Sequence, residues 1–226
     1  MTDRTVLVTG GTGGLGRAVT AAFGEAGWRV VVPVRSDPPA DGAAVYVSAD
    51  LTDPGAVEGA VATAAGDAGA PLRAVVNLVG GYASSGLVHE TPIAEFERLL
   101  TLNLRPTYLV THSALPHLVA AGGGAVVCVS SRAALAPFPG AAGYITAKAA
   151  VLAFAGAVAV EYRKAGVRCN TVLPSVIDTP ANRSAQPGAD QSGWVPPAEI
   201  AAVVRFLASD ESAPTSGAAI PVYGRA

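Results

Sequence analysis

The chain has 226 residues, a formal net charge of −2, 50% hydrophobic and 14% charged residues. That length buries a sizeable core in one large α/β domain or two small ones, and the apolar fraction argues against disorder. The charge balance offers no general attraction to nucleic acid or an anionic membrane, and Lys and Arg are scattered without a basic run.

In chain order, apolar β-rich runs alternate with helical stretches. Strands are predicted at "TVLVTG" (5–10), "RVVVPV" (29–34), "AVYVSA" (44–49), "RAVVNLVG" (73–80), "GAVVCVSS" (124–131) and "VRCNTVLP" (167–174), with a short last one at "AAIPVYG" (218–224). Most are continuously apolar, the pattern of parallel strands covered on both faces. Helices fit at 14–26, 54–66, 92–121, 143–165 and 197–208. The alternation predicts βαβ units in a doubly wound parallel sheet of about seven strands, forming one Rossmann-type domain over 1–226. Between Val34 and Ala44 lies only "RSDPPADGA", whose prolines, glycine and aspartates oppose a helix. A bare loop is expected where a crossover helix would normally sit.

Cys128 and Cys169 fall in strand-like contexts without metal-ligand spacing and read as reduced core thiols of a cytosolic protein. The uncharged run from Ala149 to Val160 ends after about a dozen residues, a buried-helix length, so no bilayer span is expected. The N-terminus lacks the order of a secretory signal, and a cytoplasmic location is the default expectation.

"VTGGTGGLGRAV" follows the first strand and opens a helix. Gly10, Gly14 and Gly16 allow a tight turn and a close approach to a pyrophosphate, and the helix N-terminus supplies N–H donors and a positive dipole. Such turns also arise for packing alone, but this position favours dinucleotide binding. The second strand ends at Val34 with Arg35 just after, where an acid would bind the adenosine ribose. Arg35 is either a solvated loop charge or the partner of a 2′-phosphate, and the preferred cofactor is NADP(H) over NAD(H). Tyr144 and Lys148 stand four apart in "AAGYITAKAAV", on one face of the predicted helix.

With these motifs in order, the chain resembles the short-chain dehydrogenase/reductase family along nearly its whole length. The carrying stretches are "TGGTGGLG", "ADLTD" (49–53), "NLVGG" (77–81), "LNLRPTYL" (102–109), and Ser131 thirteen residues before Tyr144. A narrower similarity to dihydropteridine reductase and its bacterial relatives rests on the short link after Val34, "VGGY", and "VLPSVIDTPANRSAQPGADQSGW" (172–194). Ser131 and the absence of an acid after the second strand depart from those reductases. Pro174-Ser175 stands where most of the wider family has Pro-Gly.

The resemblance implies catalysis by Asn103, Ser131, Tyr144 and Lys148. It also implies cofactor contacts from Gly10, Thr12, Gly14, Leu15, Gly16, Arg35, Asp50, Leu51, Asn77, Tyr144, Lys148, Pro174, Ile177 and Thr179. Tyr144 would deliver the proton, with its pKa lowered by the Lys148 ammonium. Lys148 would hold the nicotinamide ribose, Ser131 the substrate oxygen, and Asn103 would bend its helix and hold a water. Each residue has a plainer alternative: a cap, a solvated lysine, a turn serine, a helix misfit.

Substrate contact is expected from Tyr82 and Trp194, with His89, Phe138, Asn182 and Arg183 on nearby loops. His112 and His117 read as interface or surface residues, and no metal site is expected. The expected activity is NADPH-dependent reduction of a carbonyl or imine of a small substrate. The alternatives are a pteridine reductase and a catalytically silent dinucleotide-binding regulator. Helices 92–121 and 143–165 pair across subunits in this family, which implies a homodimer or homotetramer.

Overall fold

The computed structural model describes residues 3–36 and 44–225. Seven strands form one all-parallel sheet: β1 Thr5–Thr9, β2 Arg29–Val34, β3 Val45–Ser48, β4 Leu72–Asn77, β5 Gly124–Val129, β6 Val167–Pro174 and β7 Ala219–Val222. Their spatial order is β3-β2-β1-β4-β5-β6-β7. The order reverses between β1 and β4, so a crevice opens at the carboxyl ends of those two strands. This is a single-domain α/β Rossmann-like fold. The bare crossing expected between β2 and β3 falls mainly on 37–43, outside the described residues.

Strand side chains alternate between two apolar layers. Leu7, Val31, Val75 and Val126 face one layer, with Val57 and Val61 of helix α2 (Pro54–Ala65), Leu118 of α4 (Arg105–Ala120) and Val151 and Val158 of α5 (Ala142–Glu161). Val6, Val8, Val32 and Val127 face the other, with Val19 and Phe23 of α1 (Gly14–Glu25) and Ile200, Val204 and Leu207 of α7 (Pro197–Ala208). Both faces are covered, which is why the strands read as unbroken apolar runs. Cys128 and Cys169 are buried free thiols between neighbouring strands, as expected.

The structure corrects three expectations. The single helix over 92–121 is two, α3 (Ile93–Asn103) and α4, because Pro106 in the first turn of α4 has no N–H to continue the α3 ladder. Strands β4 and β5 stop at Asn77 and Val129, leaving Gly80–Gly81 and Ser130–Ser131 free to form loops above the sheet. A short helix, α6 (Pro180–Ala185), was not anticipated; the Thr179 hydroxyl accepts from the Asn182 N–H at its start and Pro180 supplies a favourable first position.

Helix α5 spans Ala142–Glu161 and ends four residues short of the expected 143–165. Its twenty residues, with mean hydropathy 1.6, are long and apolar enough to cross a membrane by length and composition alone. Here Ala147, Val151, Ala155 and Val158 pack inward, while only 39% of the apolar window is buried. The outer face of α4 and α5 carries Tyr108, His112 and Phe154 in one aromatic row, with Tyr108 centred 5.7 Å from each neighbour.

Phe23 is fully buried and meets Trp28 edge-on at 5.3 Å, so it joins α1 to the start of β2. Phe23→Ala is expected to lower unfolding stability by about 3–5 kcal/mol in chemical denaturation without altering the site residues.

Candidate active site

The loop after β1 is held by close backbone approaches. Gly10 has φ +67°, and a Cβ on Gly16 would lie 2.0 Å from the Gly10 carbonyl oxygen, so α1 starts hard against the turn. Gly13 precedes α1 and no side chain caps it, which leaves the first-turn N–H groups of Gly14, Leu15 and Gly16 directed at the crevice mouth. A Cβ on Gly14 would meet the Thr179 methyl at 2.7 Å, so the loop after β6 closes the other side. These features fit a dinucleotide pyrophosphate. Thr12 lies on the same loop, and its carbonyl accepts from Arg17 Nε at 3.1 Å.

Arg35 after β2 and Asp50 after β3 are both exposed and near enough for the Arg35 charge to act on the Asp50 carboxyl. Asp50 accepts from the Thr52 N–H at 2.9 Å and the Thr52 hydroxyl at 2.8 Å. The Thr52 backbone bond, then its hydroxyl, with a smaller contribution from the Arg35 charge, hold this carboxyl below its ordinary pKa. Leu51 beside it is buried in the α2-side core.

Lys148 is 5% exposed and donates from Nζ to the Val129 carbonyl at 3.1 Å. Its own backbone carbonyl accepts from the Ser130 hydroxyl at 2.7 Å, tying α5 to the end of β5. Asn103, fully buried at the end of α3, donates to the Gly81 carbonyl at 3.1 Å and the Leu99 carbonyl at 3.0 Å, and accepts from the Gly81 N–H at 3.0 Å. Gly80 joins the two residues. A Cβ there would stand 2.6 Å from Asn103 Oδ1 and 2.9 Å from Lys148 Nζ.

Tyr144 is half-buried, with the Lys148 ammonium nitrogen 6.0 Å from its ring centre. Ser131 follows β5, and its hydroxyl accepts from the Ala133 N–H at 3.1 Å while acting on the Tyr144 phenol. Tyr82 stands edge-on to Tyr144 at 5.2 Å and 87°, and Phe138 lies 6.3 Å from Tyr82. Tyr144, Ser131, Lys148, Asn103 and Tyr82 therefore converge at the carboxyl end of the sheet. Such a cluster can hold a polar oxygen and pass it a proton.

One electrostatic expectation changes. Tyr144 is pushed above its ordinary pKa, chiefly by burial, with the Ser131 hydroxyl opposing and Tyr82 adding slightly. The Lys148 charge does not reach the phenol strongly, because Nζ is turned to Val129. Lys148 itself is lowered to about 8 by burial, with Cys128 acting the other way.

Other expected residues divide. The Asn77 side chain is buried, donates to Thr111 Oγ1 at 3.0 Å, and leaves Oδ1 without a partner inside the sheet–helix layer. The odd-even alternation of β4 turns it away from the crevice. Ile177 bridges Val195, and Pro174 is the buried end of β6. Asn182 donates to the Ile177 carbonyl at 2.8 Å, and Arg183 forms a forked pair with Asp178, so both are occupied in holding their own loop. Trp194 is half-buried, its backbone N–H donating to the Gln191 carbonyl at 3.1 Å, and it makes no aromatic contact with Tyr144. Ser175 replaces the usual glycine and donates to the Tyr223 carbonyl at 2.8 Å. His89, His112 and His117 are exposed, and no group of three metal-ligating side chains occurs among the described residues.

Gly80 and Ser130 were missed at the sequence level. The glycine pair in "NLVGG" and the serine pair in "VSS" were their only signals.

Comparison with known proteins agrees with this architecture. The short chain dehydrogenase family profile matches residues 4–190. The chain is 33% identical to the 2-(R)-hydroxypropyl-CoM dehydrogenase of Xanthobacter autotrophicus, over 98% of each protein. A short-chain type dehydrogenase/reductase from Mycobacterium ulcerans superposes with a TM-score of 0.91 at 27% identity, covering 100% of this chain and 90% of that one. The structure of ElxO with NADP bound gives 0.91 at 25% identity, covering 99% and 98%. The chain belongs to the short chain dehydrogenase family, whose members are oxidoreductases that bind a nicotinamide dinucleotide.

The buried Lys148 ammonium makes the ligand-free protein pH-sensitive. Below about 8 both folded and unfolded lysine are charged, and the unfavourable burial is fully present. Between about 8 and 10.5 only the folded form loses its proton, so this group raises stability with pH. Lys148→Met is expected to flatten that rise and to stabilise the ligand-free protein at pH 7 by about 3 kcal/mol at most, measured by denaturation at several pH values.

Proposed function

We propose that the protein is an NADPH-dependent reductase of a small carbonyl or imine compound, with Tyr144 as proton donor. The observation that carries this reading is the meeting of Tyr144, Ser131, Lys148 and Asn103 beside a glycine cradle and an uncapped helix start. When bound, the dinucleotide supplies the hydride. Thr12, Leu15 and the glycine-loop N–H groups hold its pyrophosphate, with Thr179, Ile177 and Pro174 on the facing loop. Asp50 and the Leu51 backbone lie toward the adenine.

Ser131 donates a hydrogen bond to the substrate oxygen and positions it against the Tyr144 phenol. The raised pKa keeps that phenol protonated near neutral pH, the form needed for reduction. Lys148 would donate to the nicotinamide ribose; its ammonium, 6.0 Å from the Tyr144 ring centre, acts only weakly on the phenol while Nζ is turned to Val129. Asn103 and Gly81 hold α3 against the loop and keep space around Lys148 Nζ open.

Tyr82 and Phe138 form an exposed aromatic rim with Tyr144, which suits a flat or cyclic substrate. A pteridine substrate is the second reading, supported by Tyr82 standing edge-on to Tyr144 as an aromatic wall for a flat ring. A silent regulator is disfavoured because tyrosine, serine and lysine are all present and adjacent. The aromatic row on the outer face of α4 and α5 supports a homodimer or homotetramer.

Tyr144→Phe is expected to bind NADPH like the wild type while turnover of a carbonyl, imine and quinonoid pterin panel falls by at least about a hundredfold. Retained turnover would overturn the mechanism.

Arg35→Ser is expected to weaken NADPH binding about tenfold, with NADH binding little changed in fluorescence titration. Equal loss for both dinucleotides removes the 2′-phosphate assignment.

A further inference from the structure

A second cavity, ≈ 470 Å³, lies at the amino ends of the strands, opposite Tyr144. Gly124 and Val167, the first residues of β5 and β6, form part of its wall. Both strands run from there toward the candidate active site, about 20 Å away for six extended residues. Its charged lining is Arg4, Arg73, Arg163, Arg168 and Asp210. Four guanidinium groups against Asp210 and the Asp3 carboxylate paired with Arg4 leave a local excess of two positive charges in a chain of net charge −2.

The carboxylates nearby neutralise only part of this set. Asp210 lies 3.9 Å from Arg4 Nη1, and Asp3 lies 3.6 Å from Arg4 Nε. Among the described residues, Arg73, Arg163 and Arg168 have no carboxylate within 4.0 Å.

Neutral groups hold two of these cations in place. Arg168 donates to the Leu207 carbonyl at 2.9 Å, the Ser209 carbonyl at 2.8 Å and the Ser212 hydroxyl at 2.7 Å. Arg73 donates to the Ala121 carbonyl. Both forks are pinned without losing their charge.

The other two have donors to spare. Arg163 is exposed on a single turn after α5, with no side-chain hydrogen bond among the described residues. Arg4 stacks over Trp28 at 4.7 Å, and its buried Nε lacks a hydrogen-bond partner.

We propose that this cavity is a binding site for a small phosphorylated anion, distinct from the dinucleotide crevice. Planar guanidinium forks match phosphate oxygens two at a time, and convergent uncompensated cations relieve their mutual repulsion on binding one. The volume suits a small molecule. Trp28 is 5% exposed beneath Arg4, so no open aromatic face exists on which a base could stack. That directs the reading to inorganic pyrophosphate or a sugar phosphate and away from single-stranded nucleic acid.

The test is calorimetric titration of the full chain with inorganic pyrophosphate, at matched ionic strength and with saturating NADPH occupying the glycine loop. A sugar bisphosphate and sulfate run as parallel arms. One saturable site is expected for pyrophosphate or the sugar bisphosphate, the tighter of the two indicating the free or the organic source, with sulfate weaker than both. Arg163→Gln and Arg4→Gln should each weaken it about tenfold, and Lys164→Gln, a neighbouring charge outside the cavity, should not. The Arg163 side chain forms no hydrogen bond among the described residues, so its replacement leaves the fold intact. Absence of saturable binding, unchanged binding by Arg163→Gln, or equal weakening by Lys164→Gln would overturn the proposal. Neither Arg4 nor Arg163 touches the Tyr144 cluster, so this result is independent of the turnover assay.

Discussion

A lysine ammonium buried at the carboxyl end of a parallel sheet is the constraint on which the candidate site depends. Among the described residues Lys148 has one acceptor for its charged nitrogen, the Val129 carbonyl, and burial lowers its pKa to about 8. A group held that way is unfavourable for stability unless something with hydroxyl or anionic oxygens comes to meet it. The surrounding residues make sense as the frame for that meeting. Ser130 fixes the Lys148 backbone, Asn103 fixes the Gly80–Gly81 loop, and the missing Cβ of Gly80 keeps the space around Nζ free.

Sheet topology brings these parts together. Parallel strands place every carboxyl end on one side, so loops after β1, β4, β5 and β6 meet although about 170 residues separate the first from the last. The same geometry places every amino end on the opposite side, where arginines from before β1, within β4, before β6 and within β6 share a cavity. One architectural rule thus accounts for two unrelated clusters of charge and polarity.

Much of this was legible along the chain. Continuous apolar runs identify buried parallel strands because both sheet faces are covered. The glycines at 10, 14 and 16 mark a turn that only close backbone approach explains. Tyr144 and Lys148 show a shared helix face by spacing alone. Other features were hidden for physical reasons. Pro106 divides a continuous-looking helical stretch, while Pro116 inside α4 does not end its helix, so proline identity does not decide the outcome. Asn77 sits inside a recognisable motif, yet the pleat of β4 turns its side chain into the core.

The sequence by itself determined the alternation of strands and helices, the phosphate-cradling turn and the chemical identities of tyrosine, lysine, serine and asparagine, because these depend on local period and residue type. Only the tertiary structure decided that the Tyr144 phenol is raised and not lowered, since the sign depends on burial and on where Lys148 Nζ points. It also decided that Tyr82 stands on Tyr144 while Trp194 makes no such contact, and that four scattered arginines face one cavity. Distances between residues remote in sequence are set by packing, and a charge's effect follows distance and burial.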